Sequence, residues 1–449
     1  MKPDHRSRAR IRITITGVTS WVWLFLAGTG GELRAQTETR GATPLGLGRV
    51  YRAVQVANPR IAAAGALARA AYARTGPVRR PPDPQLQFGL MNRSLPGFGL
   101  QGPLAMNQVQ LTQMVPFPGK LRMAGQVASA RAEAEQSRAT DVSWDVRARA
   151  AMAFYELYQM DRSLDVASET LRILQDLATT ARTMYGVGEG RQADVLRAQV
   201  EIARMTEEIL RMRTERISAA ARLNALLVLD PSAPVGSPVR PAFPDTLPPL
   251  DSLVAEAERT RPMIQAGEAE VRAAAAGVRL ARREIWPDLE VGVQYGQRPM
   301  NGDTDRMLSL MFGVNVPIFA GSRQLAMRRE AAAMRQMAAA DLDAMRADTR
   351  GRVAELYASA ERARRLGSLY LRTILPQAHT TVASALAAYR TGGVDFMTLL
   401  DDQMTVNRYR QDLYALEAQR GQALAELEML LGRPLFNPDD AVVATGGVQ

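Results

Sequence analysis

The sequence predicts a mostly α-helical protein with a small β part, built from two tandem repeats. Three observations support this fold class: an internal repeat of about 203 residues, two pairs of strand-like segments, and helical stretches far longer than those of a globular domain. Each repeat is therefore expected to contain a helix, a β-hairpin and long helices, in that order.

Residues 1–35 are interpreted as a secretory signal peptide. A basic start is followed by an apolar core at 13–27, and Leu33-Arg34-Ala35 is a usable cleavage site before Gln36. The core is short for a transmembrane helix, and no later segment offers the roughly 18 apolar residues that such a helix needs. An apolar N-terminus without a targeting role stays open as the alternative.

The composition argues against most enzyme classes and against nucleic-acid binding. The chain of 449 residues has no cysteine and only two histidines, His5 and His379, so thiolate chemistry, disulfides and a lipid-modified cysteine are excluded. The net charge is +10, but the arginines alternate with acids along the helical stretches instead of forming a basic patch. We therefore predict no enzyme, no cofactor and no nucleic-acid partner. Methionine is frequent, but core packing explains it and no metal site is assigned.

The repeat sets the domain organisation. The first repeat spans 36–230, a Pro- and Ser-rich linker spans 231–250, the second repeat spans 251–435, and a tail spans 436–449. Collinear matches at offsets of 201 to 204 define the two halves: Asn58-Pro59 with Arg261-Pro262, Pro84 with Pro287, Pro116 with Pro317, Tyr185 with Tyr389, Gly188 with Gly392, and Leu223 with Leu427.

Each half is read as the same series of elements. A helix comes first, at 48–74 and again at 251–284, and a β-hairpin follows, at 85–115 and again at 288–316. Alternation of apolar and polar residues predicts the strands, and the Gly- and Pro-rich segments SLPGFGLQGP and RPMNGDTDR predict the loops between them. Long helices then fill 120–229 and 322–432.

The helix that begins near Arg191 carries two apolar stripes. One steps by three and four residues through Ile202, Met205 and Ile209, and the other passes through Leu196 and Val200 on a different face. Two stripes predict packing against neighbours on two sides, as in a sheet or tube of helices.

The strands have the length of tilted membrane-crossing β-strands, about 9–11 residues. An open sheet edge is not tolerated in a bilayer, and four strands cannot close a barrel, since the smallest have about eight. Several chains must therefore share one barrel if the strands enter a membrane, and three chains of four strands would give twelve. Two soluble hairpins packed on helices are equally compatible with the strand pattern alone. The signal peptide, the repeat and the helix lengths favour the membrane.

Motifs at the predicted helix tips resemble those of the TolC-type outer-membrane efflux factors. Val187-Gly188-Glu189-Gly190 followed by Asp194-Val195-Leu196 is similar to the family's helix-turn-helix tip, and Thr391-Gly392-Gly393 with Leu399-Leu400-Asp401 is its equivalent in the second repeat. The resemblance covers essentially the whole mature chain. It implies a homotrimer in the outer membrane, with a shared twelve-stranded barrel above a long α-helical tunnel in the periplasm.

The resemblance also implies roles for the tip residues. Asp401 falls where the family carries an aspartate ring at a narrow periplasmic entrance, and the neighbouring Asp402 and the first-repeat Asp194 are candidates for the same gate. A purely capping or solvating role for these acids remains open. Arg197 stands where a second ring acid would be, and Gly190 and Val394 stand where some members carry a latching arginine. The resemblance therefore does not support a latch at those positions.

The tip turns themselves are expected to contact a periplasmic adaptor protein that links the channel to an inner-membrane pump. The six candidate contact residues are Val187, Gly188, Gly190, Thr391, Gly392 and Gly393.

Two junctions mark the change from strand to helix. The sequence QMVPFPGKLR at 113–122 ends an alternating run at two prolines, and NVPIFAGSRQ at 315–324 repeats the change with one proline fewer. We interpret both as places where a membrane strand meets the tunnel, with Phe117 at the membrane interface and Lys120 beginning the aqueous helix. The junction residues are Pro116, Phe117, Pro118, Gly119, Pro317, Phe319 and Gly321.

The function predicted from the sequence is the exit duct of a tripartite efflux pump, which exports small molecules or metal ions passively. Two alternatives stay open: the exit duct of a type I protein secretion system, and a soluble periplasmic coiled-coil scaffold without a pore.

Overall fold

The computed structural model describes residues 44–92, 105–240, 242–300 and 303–439. The predicted signal peptide, the SLPGFGLQGP loop and most of the predicted tail lie outside these residues. The ten α-helices and four strands of the described residues are α1 Leu47–Ala57, α2 Pro59–Ala73, α3 Thr75–Val78, β1 Gln85–Met91, β2 Met106–Val115, α4 Lys120–Gly186, α5 Gln192–Leu227, α6 Leu250–Thr260, α7 Pro262–Arg283, β3 Asp288–Met300, β4 Asp303–Asn315, α8 Gln324–Leu369, α9 Leu375–Arg390 and α10 Phe396–Leu431.

The first helix of each repeat is broken, which corrects the prediction of continuous helices at 48–74 and 251–284. Asn58 has φ −74° and ψ 120°, and Arg261 has φ −57° and ψ 121°, so each residue is extended and separates two helices. Both residues precede a proline, whose ring disfavours the helical conformation of the residue before it. The Asn58 side chain also accepts a 3.0 Å hydrogen bond from the Arg60 amide and caps α2.

The long helices repeat at one offset of 204 residues. α4 contains 67 residues, which corresponds to about 100 Å of helix. The run from α8 to α9 matches it, and a π-helical turn at Tyr370–Ile374 lies where α8 passes into α9. Pro376 follows this turn and lacks the amide hydrogen that a regular helix would use, which accounts for the local irregularity.

The two predicted apolar stripes of α5 differ in burial within a single chain. Met205 and Ile209 of the first stripe are buried, whereas Leu196 and Val200 of the second stripe are 54% and 57% exposed. This stripe is therefore unoccupied by other parts of the described chain.

The four strands form one antiparallel sheet in the order β1-β2-β3-β4. The loop predicted over RPMNGDTDR is largely strand, because β3 and β4 stay paired as far as Met300 opposite Asp303. An ion pair of 3.0 Å joins Arg298 to Asp305 across this hairpin. Asn301 and Gly302, between the last paired residues, lie outside the described residues.

One face of the sheet is apolar and exposed. Register places alternate residues of neighbouring strands on the same face, and the exposed members on this face include Leu86, Phe88, Leu90, Val109, Leu111, Val293, Leu308, Leu310, Phe312 and Val314. The opposite face is mainly polar, and there the Gln294 amide donates a 2.6 Å hydrogen bond to Gln108 Oε1. A continuous apolar face of this kind is unusual on a soluble monomer.

The helices α2, α4, α7 and α8 pack side by side in chain order, as the four strands of the sheet do. α4 packs against α2 on one side and α7 on the other, and α7 packs against α8. Ion pairs of 2.9 Å and 2.8 Å join α4 to α7, from Arg138 to Glu270 and from Arg272 to Glu133. In the described parts of the chain, no helix combines the length and the apolar content that a lipid bilayer would require.

Candidate functional site

The first helix tip is a tight turn between α4 and α5. Gly188 has φ +81°, a left-handed conformation that favours glycine, and the Glu189 and Gly190 amides each donate a 2.9 Å hydrogen bond to the Met184 carbonyl. Val187 at the end of the turn is 66% exposed. The backbone bonds close the end of α4 and leave the outer surface of the turn accessible.

Gly190 is held close to the backbone of α4. A Cβ atom at this position would lie 2.7 Å from the Tyr185 backbone nitrogen and 2.9 Å from the Met184 carbonyl carbon. Neither atom can move away as a side chain would. The turn therefore requires glycine here for space, whereas Gly188 has open space around it and requires glycine for its backbone angle.

The second helix tip, between α9 and α10, is similar but carries a helix cap. Gly392 has φ +72°, and the Gly393 amide donates a 2.8 Å hydrogen bond to the Ala388 carbonyl. Asp395 precedes α10, and its carboxylate accepts hydrogen bonds of 2.9 Å from the Thr398 amide and 2.6 Å from the Thr398 hydroxyl. Arg191 holds the equivalent position in the first tip and makes no side-chain cap.

The two tips share one apolar core. Tyr389 and Phe396, on either side of the second turn, have ring centroids 5.5 Å apart and pack with buried residues of α4 and α5, among them Leu177 and Ala198. Hydrogen bonds from Thr398 lower the pKa of Asp395, and the positive charges of Arg191 and Arg197 lower it further. The tips of both repeats therefore form a single unit within the chain.

The three predicted gate acids occupy different surroundings. Asp401 is exposed and lies about 100° around α10 from the buried Leu400 and about 160° from the buried Gln403, as the 100° step per helical residue requires. Asp402 is half-buried and lines a groove between α9 and α10 beside Thr398. Only one of these two neighbours can face directly away from the chain, and that residue is Asp401.

Asp194 lies in the first turn of α5, on the same side as the buried Ala198. It is close to Tyr389, a residue that sequence reasoning did not assign to the site. The Tyr389 side chain is buried, and its hydroxyl has no hydrogen-bond partner among the described residues. Burial raises the pKa of Tyr389, and the Asp194 carboxylate raises it further. The repeat pairs Tyr389 with the exposed Tyr185, and this difference in burial was not visible in the sequence.

The first junction is held by residues from both repeats. The Phe117 ring stacks on Trp286 with centroids 5.1 Å apart and an interplanar angle of 11°. The Asp288 carboxylate accepts hydrogen bonds of 2.8 Å from the Phe117 amide and 2.8 Å from Lys120 Nζ. Lys120 also donates to the Trp286 carbonyl at 2.9 Å. It begins α4 as predicted, but it is 6% exposed, so the prediction that it faces water is wrong.

Two further contacts complete this junction. Gly119 has φ +91° and precedes α4, which allows the chain to turn sharply between strand and helix. Arg283 Nη1 donates a 3.0 Å hydrogen bond to the Pro118 carbonyl. The end of β2 is therefore fastened to the start of β3, and neither Trp286 nor Asp288 was predicted to take part.

Among the described residues, nothing covers the second junction as Trp286 covers the first. Ile318 and Phe319 are 78% and 69% exposed, and a Cβ atom at Gly321 would meet nothing within 4 Å. The helix α8 begins only at Gln324, after a series of turns that follows Pro317. The two junctions therefore share a sequence pattern but differ in what packs against them.

The chain matches a family model described as outer membrane efflux protein over residues 50–227 and 253–433. It is 26% identical to protein CyaE of Bordetella pertussis over 66% of this chain and 64% of that protein. It is 24% identical to the outer membrane efflux protein BepC of Brucella suis over 57% of this chain and 56% of that protein. The chain thus spans less than two thirds of the length of these relatives.

Three solved structures share the fold over most of the chain. The outer-membrane channel OprN has a TM-score of 0.73 and 19% identity, with 86% of this chain and 89% of that chain covered. CusC has a TM-score of 0.74 and 18% identity, with 88% and 93% covered. VceC of Vibrio cholerae has a TM-score of 0.72 and 17% identity, with 87% and 97% covered. The predicted fold class is confirmed by this likeness.

Proposed function

We propose, since the chain belongs to the outer membrane efflux protein family, that it forms the outer-membrane exit duct of a tripartite efflux pump. The duct would be a homotrimer that carries small molecules or metal ions from the periplasm to the exterior. Transport through it would be passive, with the energy supplied by an inner-membrane pump.

The exposed apolar face of the four-stranded sheet carries this proposal. Such a face fits the lipid of an outer membrane, and the polar face fits a water-filled lumen. Within the described residues β1 and β4 are the sheet edges, and unpaired edges are not tolerated in a bilayer. Three chains of four strands supply a closed barrel of twelve, whereas a soluble scaffold would leave the apolar face in water.

We propose that Asp401 forms the ring at the periplasmic entrance. It is exposed and turned away from the rest of its chain, so three copies around an axis would place three carboxylates together. Asp402 would contribute less, because it lies in the groove beside α9. Asp194 would take part in the gate from its place in the first turn of α5, beside Tyr389.

We propose that the two tip turns contact the periplasmic adaptor. Val187 and Thr391 are exposed, and Gly188 and Gly392 have no neighbours that would obstruct an approaching helix. The shared core of the tips would transmit the adaptor's position to α10, which carries Asp401.

The test is membrane fractionation together with single-channel recording in planar bilayers. We expect the protein in the outer-membrane fraction and discrete channels that multivalent cations block from the periplasmic side. A protein in the soluble periplasm that gives no current would contradict the proposed function.

A further inference from the structure

We propose that the helix ends next to the sheet bind the phosphate groups of anionic phospholipids, in the membrane leaflet that faces the periplasm. The residues concerned form a basic belt, which we define as the nine arginines of the segments 79–84, 116–122, 279–288 and 316–330. The proposal rests on the proposed outer-membrane channel, and it adds a lipid partner to that channel.

The basic belt lies in a region with an excess of positive charge. Its four segments lead into β1 and β3 and out of β2 and β4, so they meet at one end of the antiparallel sheet. They contain nine arginines and Lys120 against four carboxylates, which gives a net charge of +6. A surface of this charge attracts anions.

The balance of charge changes along the helices. Residues 131–150 of α4 contain four arginines and four carboxylates, and residues 331–350 of α8 contain three of each. Ion pairs join the helices there, such as Arg346 with Glu268 at 2.7 Å. The alternation of arginines with acids therefore holds along these helices but not at the basic belt, and a general richness in arginine does not account for the belt.

The arginines of the belt have no acidic partner. Eight of the nine are exposed, and Arg328 is half-buried. Among the described residues none of the nine has a carboxylate oxygen within 4.0 Å, whereas Lys120 pairs with Asp288 at 2.8 Å and with Glu284 at 3.6 Å. The charge of the belt is therefore left for a group outside the chain.

Neutral oxygens position several of these side chains. Arg79 Nη2 donates a 2.8 Å hydrogen bond to Ser129 Oγ, and Arg279 Nη2 donates a 3.2 Å bond to Gln126 Oε1. Arg283 donates in the same way to a main-chain carbonyl. A guanidinium group has five N–H donors, so each of these groups keeps donors for a phosphate, and a neutral acceptor does not cancel its charge.

Exposed aromatic residues mark the level of the belt. Trp286 and Phe319 are 55% and 69% exposed at the two junctions, where the apolar face of the sheet ends. Aromatic rings of membrane β-barrels lie at the interface between hydrocarbon and water. Arg283 precedes Trp286 by three residues and Arg323 follows Phe319 by four, so the belt begins on the water side of this interface, where long side chains reach lipid headgroups.

The chemistry of the belt favours an anionic phospholipid. Guanidinium groups bind phosphate oxygens through paired N–H donors. A zwitterionic headgroup carries the same phosphate but adds an ammonium group, which a surface of net positive charge repels. An anionic headgroup carries no such group and is attracted as a whole, so the belt should select it.

The fluorescence of Trp286 reports which lipid lies at the belt. Outside the predicted signal peptide the chain contains two tryptophans, Trp144 and Trp286, so Trp144→Phe leaves the one at the junction. This parent protein is reconstituted into vesicles of phosphatidylglycerol and phosphatidylcholine in which one of the two lipids carries bromine in its acyl chains. Bromine quenches a tryptophan only in close contact, so exchanging the brominated lipid gives the relative affinity of the two lipids for the junction.

Two variants of the parent protein with equal loss of charge test the belt. The belt variant changes one exposed arginine at each helix end, through Arg80→Gln, Arg122→Gln, Arg282→Gln and Arg329→Gln. The control variant changes four exposed arginines elsewhere on the helices, through Arg60→Gln, Arg172→Gln, Arg213→Gln and Arg362→Gln.

We expect the parent protein to prefer the anionic lipid at least about threefold, because several arginines act on each headgroup. The belt variant should lose most of this preference, and the control variant should keep it. Raising the salt concentration to about 1 M should reduce the preference without any substitution in the belt, because the Debye length falls to about 3 Å.

Equal affinities for the two lipids in a protein that still conducts would overturn the proposal and leave the channel standing. An equal loss of preference in the control variant would also overturn it, by tracing the preference to overall charge. Loss of preference in inorganic phosphate, but not in chloride of equal ionic strength, would assign the belt to a free anion instead of a lipid. Absence of quenching by either lipid, together with absence of conductance, would count against the channel itself.

Discussion

Lys120 Nζ lies 2.8 Å from Asp288 Oδ1, although 168 residues separate the two in the chain. The Lys120 side chain is 7% exposed, and its ammonium group is paired with this partner and with Glu284 at 3.6 Å. The pair joins the end of the first repeat's hairpin to the start of the second, and it fixes how the two hairpins meet.

Replacing Asp288 with alanine should therefore destabilise the protein strongly. Loss of one partner leaves a buried ammonium group with incomplete compensation, which typically costs about 3–5 kcal/mol. The melting temperature of the detergent-solubilised trimer measures the effect. Asp83→Ala, at an exposed position just before β1, is the matched control and should change little. Equal effects of the two variants would show that the buried pair is unimportant.

Replacing Gly190 with alanine should open the first tip turn. The new Cβ would approach the Tyr185 nitrogen to 2.7 Å, so the backbone of the turn must shift. Trypsin cleavage after Arg191, followed by mass spectrometry, should become faster in the variant. Gly186→Ala is the control, because it adds a methyl group to the end of α4 with nothing within 4 Å and should slightly favour the helix, by up to about 1 kcal/mol. Equal cleavage rates would argue against a space requirement at Gly190.

Replacing Asp395 with alanine should loosen the first turn of α10, because the Thr398 amide loses its acceptor. Faster hydrogen exchange at the amides of residues 396–399 would report this change, and Asp395→Ser should retain most of the protection.

The same cap should depend on pH. The Thr398 bonds lower the pKa of Asp395, so the cap is fully present above the ordinary aspartate pKa of about 3.9. It should be lost only as the pH falls through the lowered value. Protection that disappears already at pH 5 would contradict the assignment.

Replacing Asp401 with asparagine should weaken channel block by multivalent cations. Removal of one carboxylate per copy takes three charges from the proposed ring, and we expect the half-blocking concentration to rise at least about tenfold, or about 1.4 kcal/mol of binding. Single-channel recordings with a trivalent cation on the periplasmic side provide the measurement. Asp402→Asn, one residue further along α10, should have the smaller effect. A larger effect at Asp402 would reverse the proposed assignment of the ring.

Replacing Leu310 with arginine should impair insertion, because this residue is 67% exposed on the apolar face. An arginine facing lipid costs up to about 2–4 kcal/mol at the bilayer midplane. The neighbouring Ser309→Arg places the same charge on the polar face opposite Gln294 and should insert normally. The yield of trimer in the outer membrane distinguishes them, and equal yields would contradict the assignment of the lipid-facing side.

The long helices and the strands could be predicted because their signals are local. α4 runs from Lys120 to Gly186, and the sequence shows no proline in this range. The exposed state of Leu196 and Val200 could not be predicted, since a stripe of apolar residues does not say whether its neighbour belongs to the same chain. The breaks at Asn58 and Arg261 follow from the prolines after them, a local rule that the helical pattern obscured.

The site was less accessible to sequence reasoning because its contacts are long-range. Lys120 looks like a solvent-facing residue at the start of a helix, and only the fold brings Asp288 and Trp286 to it. Asp401 and Asp402 are adjacent in sequence, and their different exposures depend on how α10 packs. Tyr389 and Tyr185 are equivalent in the repeat, yet only Tyr389 is enclosed by the shared tip core.

The two edges of the sheet, β1 and β4, are different surfaces, and this has a consequence for assembly. A contact that joins β4 of one copy to β1 of another is head-to-tail, and it leaves a free edge of each kind for further additions. Such contacts close into a ring only when the rotation between successive copies matches a whole number of copies, and otherwise they continue as an open filament. The number of chains in the assembly is therefore set by the curvature of the sheet and of the helical layer, and a variant that changes strand tilt could change the stoichiometry without weakening a single contact.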